Sequence, residues 1–190
     1  MWSGLMSMGA ALDTKTVIIL FLLLSVGAML IFIAFLPQPA CAGCNAKVDF
    51  IFSPDAEGDV IDFIRTANST IDIEIYTFSS EEVIRELGEA ESRGVEVRVI
   101  MEPRVDDSRK TRVYALLSEL GVDMKWASLS YKLTHSKFII VDGKKALIGS
   151  INLSESALNK NREAAVLVEG EGVKELVAIF EEDWEKGTEG

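Results

Sequence analysis

Histidine is almost missing from this chain: His135 is the only one among 190 residues, and cysteine occurs twice, as Cys41 and Cys44. Two thiolates and one imidazole are too few for a tetrahedral zinc site within one chain, which needs four ligands. No metal and no other cofactor is expected. The run Cys41-Ala42-Gly43-Cys44 keeps two readings, a disulfide within or between protomers and a pair of idle thiols. Basic residues are also outnumbered, 19 against 30 acidic ones, for a net charge of −11. A polyanion binder is disfavoured on that balance alone. Internal repeats and low-complexity linkers are absent too, which leaves a single folded domain after the N-terminal segment.

That segment is defined by another absence. From Val17 to Leu36 there is no charged residue, and the run stops at Pro37-Gln38-Pro39. Twenty apolar residues match the hydrocarbon thickness of a bilayer. An uncleaved anchor is favoured over a signal peptide removed near Ala40-Cys41-Ala42, because the run exceeds the usual length of a signal core. Residues 1–45 are therefore assigned to a membrane anchor, with a transmembrane helix over about 17–36, and a short linker. Residues 46–190 are assigned to the catalytic domain. Lys15 before the span is balanced only by the more distant Lys47, so the reading is a single-pass protein with its domain outside the cytoplasm.

The remaining residues suffice for one well-covered core and not for two. Strands are expected at Val48–Phe52, Ile71–Tyr76, Val95–Met101, Val122–Trp126 and Ala164–Val168, and helices at Glu57–Ala67, Lys110–Leu120 and Val173–Trp184. A further helix should start after Ser80, whose side chain caps it, with Glu81 and Glu82 at the positive end of its dipole, and end near Arg93 before Gly94. In Ile71–Tyr76 the alternation puts Ile71, Ile73 and Ile75 inward and Asp72 and Glu74 outward. Strands alternating with helices predict an α/β fold, a mixed β-sheet with helices on both faces.

The chemistry concentrates in Thr134-His135-Ser136-Lys137-Phe138-Ile139-Ile140-Val141-Asp142-Gly143, which reads H-x-K-x4-D, and in Gly149-Ser150-Ile151-Asn152 shortly after it. Ser136–Val141 and Ala146–Ser150 read as two strands of a hairpin, with Asp142-Gly143 as a two-residue turn. Side chains alternate along a strand, so His135 and Lys137 share one side, with Ser136 and Phe138 on the other. Ser150 and Asn152 likewise share a side and can reach the same pocket. An imidazole, an ammonium, a hydroxyl and an amide together suit an anionic phosphate group.

His135, Lys137 and Asp142 with Gly149, Ser150 and Asn152 resemble the signature of the phospholipase D (HKD) superfamily, and the resemblance extends from about Val48 to the C-terminus. It implies a phospholipase D-like α/β/α sandwich and metal-independent phosphodiester cleavage. In that chemistry one histidine attacks phosphorus to give a phosphohistidine, and a second protonates the leaving oxygen. A chain with one histidine and one H-x-K-x4-D motif is similar to the short members, which act as homodimers with a shared active site. The resemblance makes His135 the nucleophile or acid, and gives Lys137 and Asn152 the non-bridging phosphate oxygens, with Ser150 beside them or orienting the histidine. Asp142 belongs to the catalytic motif but is expected to anchor the turn. Glu163 matches the acidic residue that fixes the tautomer of the catalytic imidazole. Some membrane-anchored members carry a zinc element near Cys41 and Cys44, for which this chain lacks ligands.

Charge is unevenly distributed in a way that bears on substrate. Residues 98–162 carry 12 basic and 7 acidic side chains, whereas residues 46–97 carry 4 and 13. Arg104, Arg109, Lys110, Arg112, Lys125, Lys132, Lys144, Lys145, Lys160 and Arg162 have two readings, a cleft for a polyanion or solvated loops. An endonuclease on DNA or RNA ranks first, because the short single-motif members that the chain resembles cut DNA or RNA and the basic segment can follow a phosphate backbone. A phospholipase D or phosphatidyl transferase held beside lipid by the anchor comes next, and a non-catalytic membrane module last. Leu133, Phe138 and Leu153 are assigned to the core, which leaves no apolar loop beside the motif to receive acyl chains.

Overall fold

The computed structural model describes residues 13–34, 46–105 and 109–190. Cys41, Cys44 and the last two residues of the expected span lie outside them. The chain divides into two units, Met1–Gly43 and Cys44–Gly190, and each is described by itself.

The first unit contains α1 (Thr14–Ala34), a helix of 21 residues. It starts ahead of the uncharged run because the Asp13 carboxylate accepts the Thr16 N–H at 2.8 Å and caps a polar first turn. At about 1.5 Å per residue α1 is roughly 31 Å long, the thickness of a bilayer core. Mean hydropathy over Thr14–Phe32 is 2.5, and among the described residues this is the one helix long and apolar enough to cross a membrane.

The second unit runs β1 (Lys47–Phe52), α2 (Glu57–Arg65), β2 (Thr70–Ile75), α3 (Glu81–Ser92), β3 (Glu96–Met101), α4 (Lys110–Glu119), β4 (Asp123–Trp126), β5 (Lys137–Val141), β6 (Lys145–Gly149), α5 (Glu155–Asn159), β7 (Ala164–Glu169) and α6 (Val173–Lys186). The expected strands and long helices are all present, with ends differing by a residue or two. Helix α5 is additional, because five residues are too few to display a helical period. Ser80 accepts the Val83 N–H at 3.2 Å to cap α3. Gly94, at φ +86°, ends that helix in the left-handed conformation glycine tolerates.

All strands join one mixed sheet in the order β1-β7-β6-β5-β2-β3-β4. The β2-β3-β4 part is parallel, and every other neighbouring pair is antiparallel. One face packs Ile71, Ile73, Ile75, Val97, Val99 and Ile139 against Val60 and Ile64 of α2, Val83 and Leu87 of α3 and Val113 and Leu117 of α4. The other packs Ile100, Phe138, Ile140 and Ala146 against Val173 and Phe180 of α6. Helices thus cover both faces, as the alternation predicts.

Two details correct the sequence reading. Asp72 and Glu74 do not face solvent: α6 lies over them, and they are 4% and 2% exposed. Asp72 accepts from Arg98 Nε at 2.7 Å, and Arg98 also reaches Glu181 of α6 at 2.6 Å, so this buried charge is paired as burial requires. The hairpin turn is also longer than two residues. Val141 pairs with Lys145, leaving Asp142, Gly143 and Lys144 between them, with Asp142 and Gly143 at φ 53° and 62°.

Candidate active site

The sheet polarity brings the ends of six strands to one edge. Ser53 follows β1, Tyr76 follows β2, Glu102 follows β3 and Ser150 follows β6, while His135 precedes β5 and Glu163 precedes β7. Pairing of Lys137 with Ile75 and of Gly149 with Ala165 fixes how these ends align. The glycine at 149 is demanded by that packing. A Cβ there would stand 2.3 Å from the Ala164 carbonyl oxygen and 2.5 Å from the Ala165 Cα, so β6 and β7 approach closely only without a side chain.

His135 is exposed and Lys137 is buried. The Lys137 ammonium donates to the His135 carbonyl at 2.6 Å and lies 3.2 Å from its Nδ1. Burial lowers the Lys137 pKa from its ordinary value, and the nearby Glu163 carboxylate opposes that shift. An ammonium facing Nδ1 makes that nitrogen an acceptor, so the neutral ring carries its proton on Nε2. The Tyr76 ring packs on the imidazole with centroids 4.4 Å apart, and Lys137 Nζ is 5.2 Å from the Tyr76 centroid.

Asn152 has its amide orientation set, because Oδ1 accepts the Thr77 N–H at 3.1 Å. Its NH₂ group has no acceptor among the described hydrogen bonds, which suits a donor to an incoming anion. Ser150 donates to Glu163 at 2.5 Å, and Asn161 Nδ2 donates to the other Glu163 oxygen at 3.2 Å. The Glu163 backbone is held in turn by Ser53, whose Oγ accepts the Glu163 N–H at 3.0 Å and donates to the Asn161 carbonyl at 2.9 Å.

The structure therefore brings His135, Lys137, Ser150, Asn152 and Glu163 together and leaves Asp142 out. Asp142 sits at the opposite end of β5, about 16 Å from Lys137 at strand spacing. Its carboxylate accepts the backbone N–H groups of Asn68, Ser69 and Thr70 at 2.8–3.1 Å. These donors hold its pKa below the ordinary value although burial opposes them, so its carboxylate anchors the turn. The Glu163 carboxylate accepts from Ser150 and Asn161 within this chain, and Nδ1 of His135 faces Lys137. No group of three or more His, Cys, Asp or Glu side chains placed to hold a metal ion occurs among the described residues.

Several residues at this edge carry no signal in the sequence. Ser53 and Glu102 become visible only when distant strand ends meet. The alternation pattern ends its strand on Tyr76; in the structure Tyr76 lies just past β2, two residues after Glu74, and packs against His135. The basic residues are not all gathered at this edge. Lys144 and Lys145 belong to the Asp142 end, Arg104 is tied to Glu102, and Lys125 donates to the Trp184 carbonyl at 3.0 Å. Instead, three apolar side chains in the six residues before His135 are exposed: Leu129 (71%), Tyr131 (41%) and Leu133 (39%). Leu133 is thus not a core residue, while Phe138 and Leu153 are.

An edge with a histidine, a buried lysine and convergent amide and hydroxyl groups, on a mixed sheet covered on both faces, defines a phospholipase D-like domain. The chain belongs to the phospholipase D-like family of phosphodiesterases: the family model described as cardiolipin synthase, PLD-like domain, matches residues 60–184. The probable cardiolipin synthase YwiE of Bacillus subtilis is 30% identical over 146 residues, covering 67% of this chain and 29% of that protein. The mitochondrial cardiolipin hydrolase of Canis lupus familiaris is 29% identical over 154 residues, 79% of this chain and 56% of that protein. The chain thus spans roughly a third to a half of the lengths of these two relatives. In fold it is similar to a phospholipase D family member, Nuc from Salmonella typhimurium, with a TM-score of 0.70 at 24% identity, covering 75% of this chain and 97% of that one.

Proposed function

We propose that this chain is a membrane-anchored phosphodiesterase that cleaves phospholipid headgroups through a phosphohistidine on His135. The observation that carries the choice of substrate is the apolar lip of Leu129, Tyr131 and Leu133 leading into His135. Exposed apolar side chains beside a polar site favour an amphiphile, whose tails they cover while the phosphate meets Lys137 and Asn152. The sequence ranks nucleic acid first because the short single-motif members it resembles cut DNA or RNA, and because it counts Leu133 as core and offers the basic residues as a cleft; exposed Leu133 and the spread of Lys125, Lys144 and Lys145 weaken the last two reasons. The cardiolipin and phospholipase D names of the relatives point the same way. DNA or RNA cleavage is kept as the second reading, favoured by Lys132, Lys160 and Arg162, which are exposed near the same edge.

In the proposed reaction a neutral His135 nitrogen attacks phosphorus, a P–N bond forms and the P–O bond to the leaving alcohol breaks. Lys137 and Asn152 hold the non-bridging oxygens as charge builds on them. The leaving oxygen takes its proton from His135 of the partner subunit, which then accepts a proton from the water that breaks the P–N bond. The two roles need two ring states. The nucleophile is a neutral ring with a free nitrogen lone pair and the proton donor is a doubly protonated imidazolium; a carboxylate facing Nδ1 favours both Nε2 as nucleophile and the imidazolium that follows. Because Lys137 supplies the positive charge, no divalent metal is required, and excess EDTA should leave the rate unchanged.

A second copy is required because each chain has one imidazole. A surface for it borders the site: Val48, Phe50 and Phe52 of β1 and Ile148 of β6 are exposed on the sheet face that α6 covers only in part. Phe52 ends that strip beside Ser53 and Glu163. The anchor tethers the domain to a bilayer, and Lys15 sets its own end on the cytoplasmic side, leaving residues 46–190 outside. The deciding experiment compares initial rates of the purified full chain on cardiolipin or phosphatidylcholine vesicles and on a fluorescent oligonucleotide. Lipid cleavage with no oligonucleotide cleavage is expected; the reverse result promotes the nuclease.

A further inference from the structure

The imidazole of His135 is exposed, and the partners described for it are only Tyr76 and Lys137. A side chain so lightly covered is aimed chiefly by its backbone, and here the backbone is gripped on both sides. The Thr134 N–H donates to Glu102 Oε2 at 2.7 Å, and the Ser136 hydroxyl donates to Glu74. Both carboxylates are buried, Glu102 1% and Glu74 2% exposed, and they come from the ends of the neighbouring parallel strands β3 and β2. Each is fixed in turn. The Arg104 guanidinium forks onto Glu102 at 2.5 and 2.8 Å. Glu74 faces Asp183 of α6, and its second oxygen has no hydrogen-bond partner among the described residues.

We infer that Glu74 and Glu102 are positioning residues, a pair of buried clamps on Ser136 and Thr134 that together aim the His135 imidazole at phosphorus. Stability alone does not call for them. Two buried carboxylates carry a desolvation cost that apolar side chains of similar volume would avoid, yet both spend a bond on a residue adjoining the one histidine. They differ in character. Burial works against ionised Glu102, but Arg104 and the Thr134 and Arg104 N–H groups hold its pKa below the ordinary value. Burial raises Glu74 to about 7, the Ser136 hydroxyl opposes that rise and Asp183 adds to it. One clamp is therefore a fixed anion, and the other accepts from Ser136 in either protonation state.

The consequence for rate rests on the phosphodiesterase reading above, but the geometry does not, and the test separates the two. His135 is the only histidine, so the full chain, purified in detergent micelles on a tag without histidine and labelled with ¹³C-histidine, gives one set of imidazole resonances. In Glu102→Ala and Glu74→Ala those resonances should shift, and kcat on the cleaved phosphodiester should fall about 10–100-fold with KM within about 2-fold, the signature of a misaimed reacting group. Glu74→Gln keeps an oxygen to accept from Ser136 and should restore the wild-type resonances. Should the alanine variants fail to fold, Ser136→Ala removes the same bond with little change in volume and should shift the signals in the same direction as Glu74→Ala. Folded Glu102→Ala and Ser136→Ala proteins with unshifted resonances and unchanged kcat would overturn the clamp. A wild-type protein that turns over no phosphodiester would overturn the enzymatic reading, while the His135 resonances still decide the clamp.

Discussion

The two ends of the β5–β6 hairpin hold one motif and treat its polar groups in opposite ways. At the turn, Asp142 is saturated: three successive backbone N–H groups and the Asn68 side chain converge on its carboxylate. At the open end His135 is exposed, Asn152 keeps its NH₂ group without a described acceptor, and the bonds described for Lys137 go only to the carbonyl and Nδ1 of His135. The difference teaches how to divide the motif. A polar group whose bonding capacity is filled by the protein secures structure, and one left with spare donors awaits a ligand. The H-x-K-x4-D spacing is thus a ruler about one strand long, with chemistry at one end and attachment at the other.

Substitutions should separate the ends. The largest effect is expected from His135→Ala, with turnover lower by at least about 10⁴-fold and thermal stability nearly unchanged, since an exposed ring is removed. Mixed dimers of this variant and wild type should also lack normal turnover, because each holds one of two required imidazoles; a verified monomer with full activity would refute the shared site. Lys137→Met should lower kcat about 10²–10³-fold by removing the charge that meets the phosphate oxygens. Asp142→Ala should do the opposite. It should cost roughly 2–3 kcal/mol of stability, read as a lower melting temperature, because charge-assisted bonds to Asn68, Ser69 and Thr70 are lost. Its kcat, measured where the variant is folded, should stay within about 2-fold. A large fall in kcat at unchanged stability would return Asp142 to the site.

Much of the open end was legible in the sequence because hairpin chemistry is local. Strand alternation puts His135 beside Lys137, and turn residues mark where the chain reverses, so neither needs knowledge of distant contacts. The anchoring role of Asp142 was legible for the same reason. What the sequence hid depends on pairings far apart along the chain. Alternation in β2 labels Asp72 and Glu74 as outward, but whether a second layer covers them depends on α6, about a hundred residues later. Glu163 was identified as an acid near the site, yet its bond to Ser150 follows from the β6–β7 register, which no local pattern fixes. Leu133 looked like core by composition and proved to be exposed, since a loop residue has no period from which to read its direction.

The apolar lip sharpens the comparison from outside the motif. Leu129→Ser with Leu133→Ser should lower kcat/KM on phospholipid vesicles about 10-fold, as two partly exposed leucines lose their contact with acyl chains. Cleavage of a soluble bis(aryl) phosphate should not change. Equal losses on both substrates would mean that the loop shapes the site instead of covering lipid.

The smallest effect concerns Glu74 and appears in stability. Its folded pKa, about 7, stands above the ordinary 4.5 chiefly because of burial, with the Ser136 hydroxyl opposing and Asp183 assisting. A carboxyl group raised on folding binds its proton more tightly in the native state. Its contribution to stability is therefore complete below about pH 4.5 and is lost as pH climbs through 7. Glu74→Gln keeps a neutral side chain at every pH, with an oxygen for Ser136 and an amide hydrogen for Asp183. The variant and wild type should melt alike near pH 5. Near pH 8 the variant should be more stable by roughly 1–2 kcal/mol, since only the wild-type side chain has to ionise inside the fold. Full-chain melts at the two pH values provide the check. A stability difference that does not change between them would mean that Glu74 is already ionised in the folded protein at pH 5, and that Asp183 is not pressing on it.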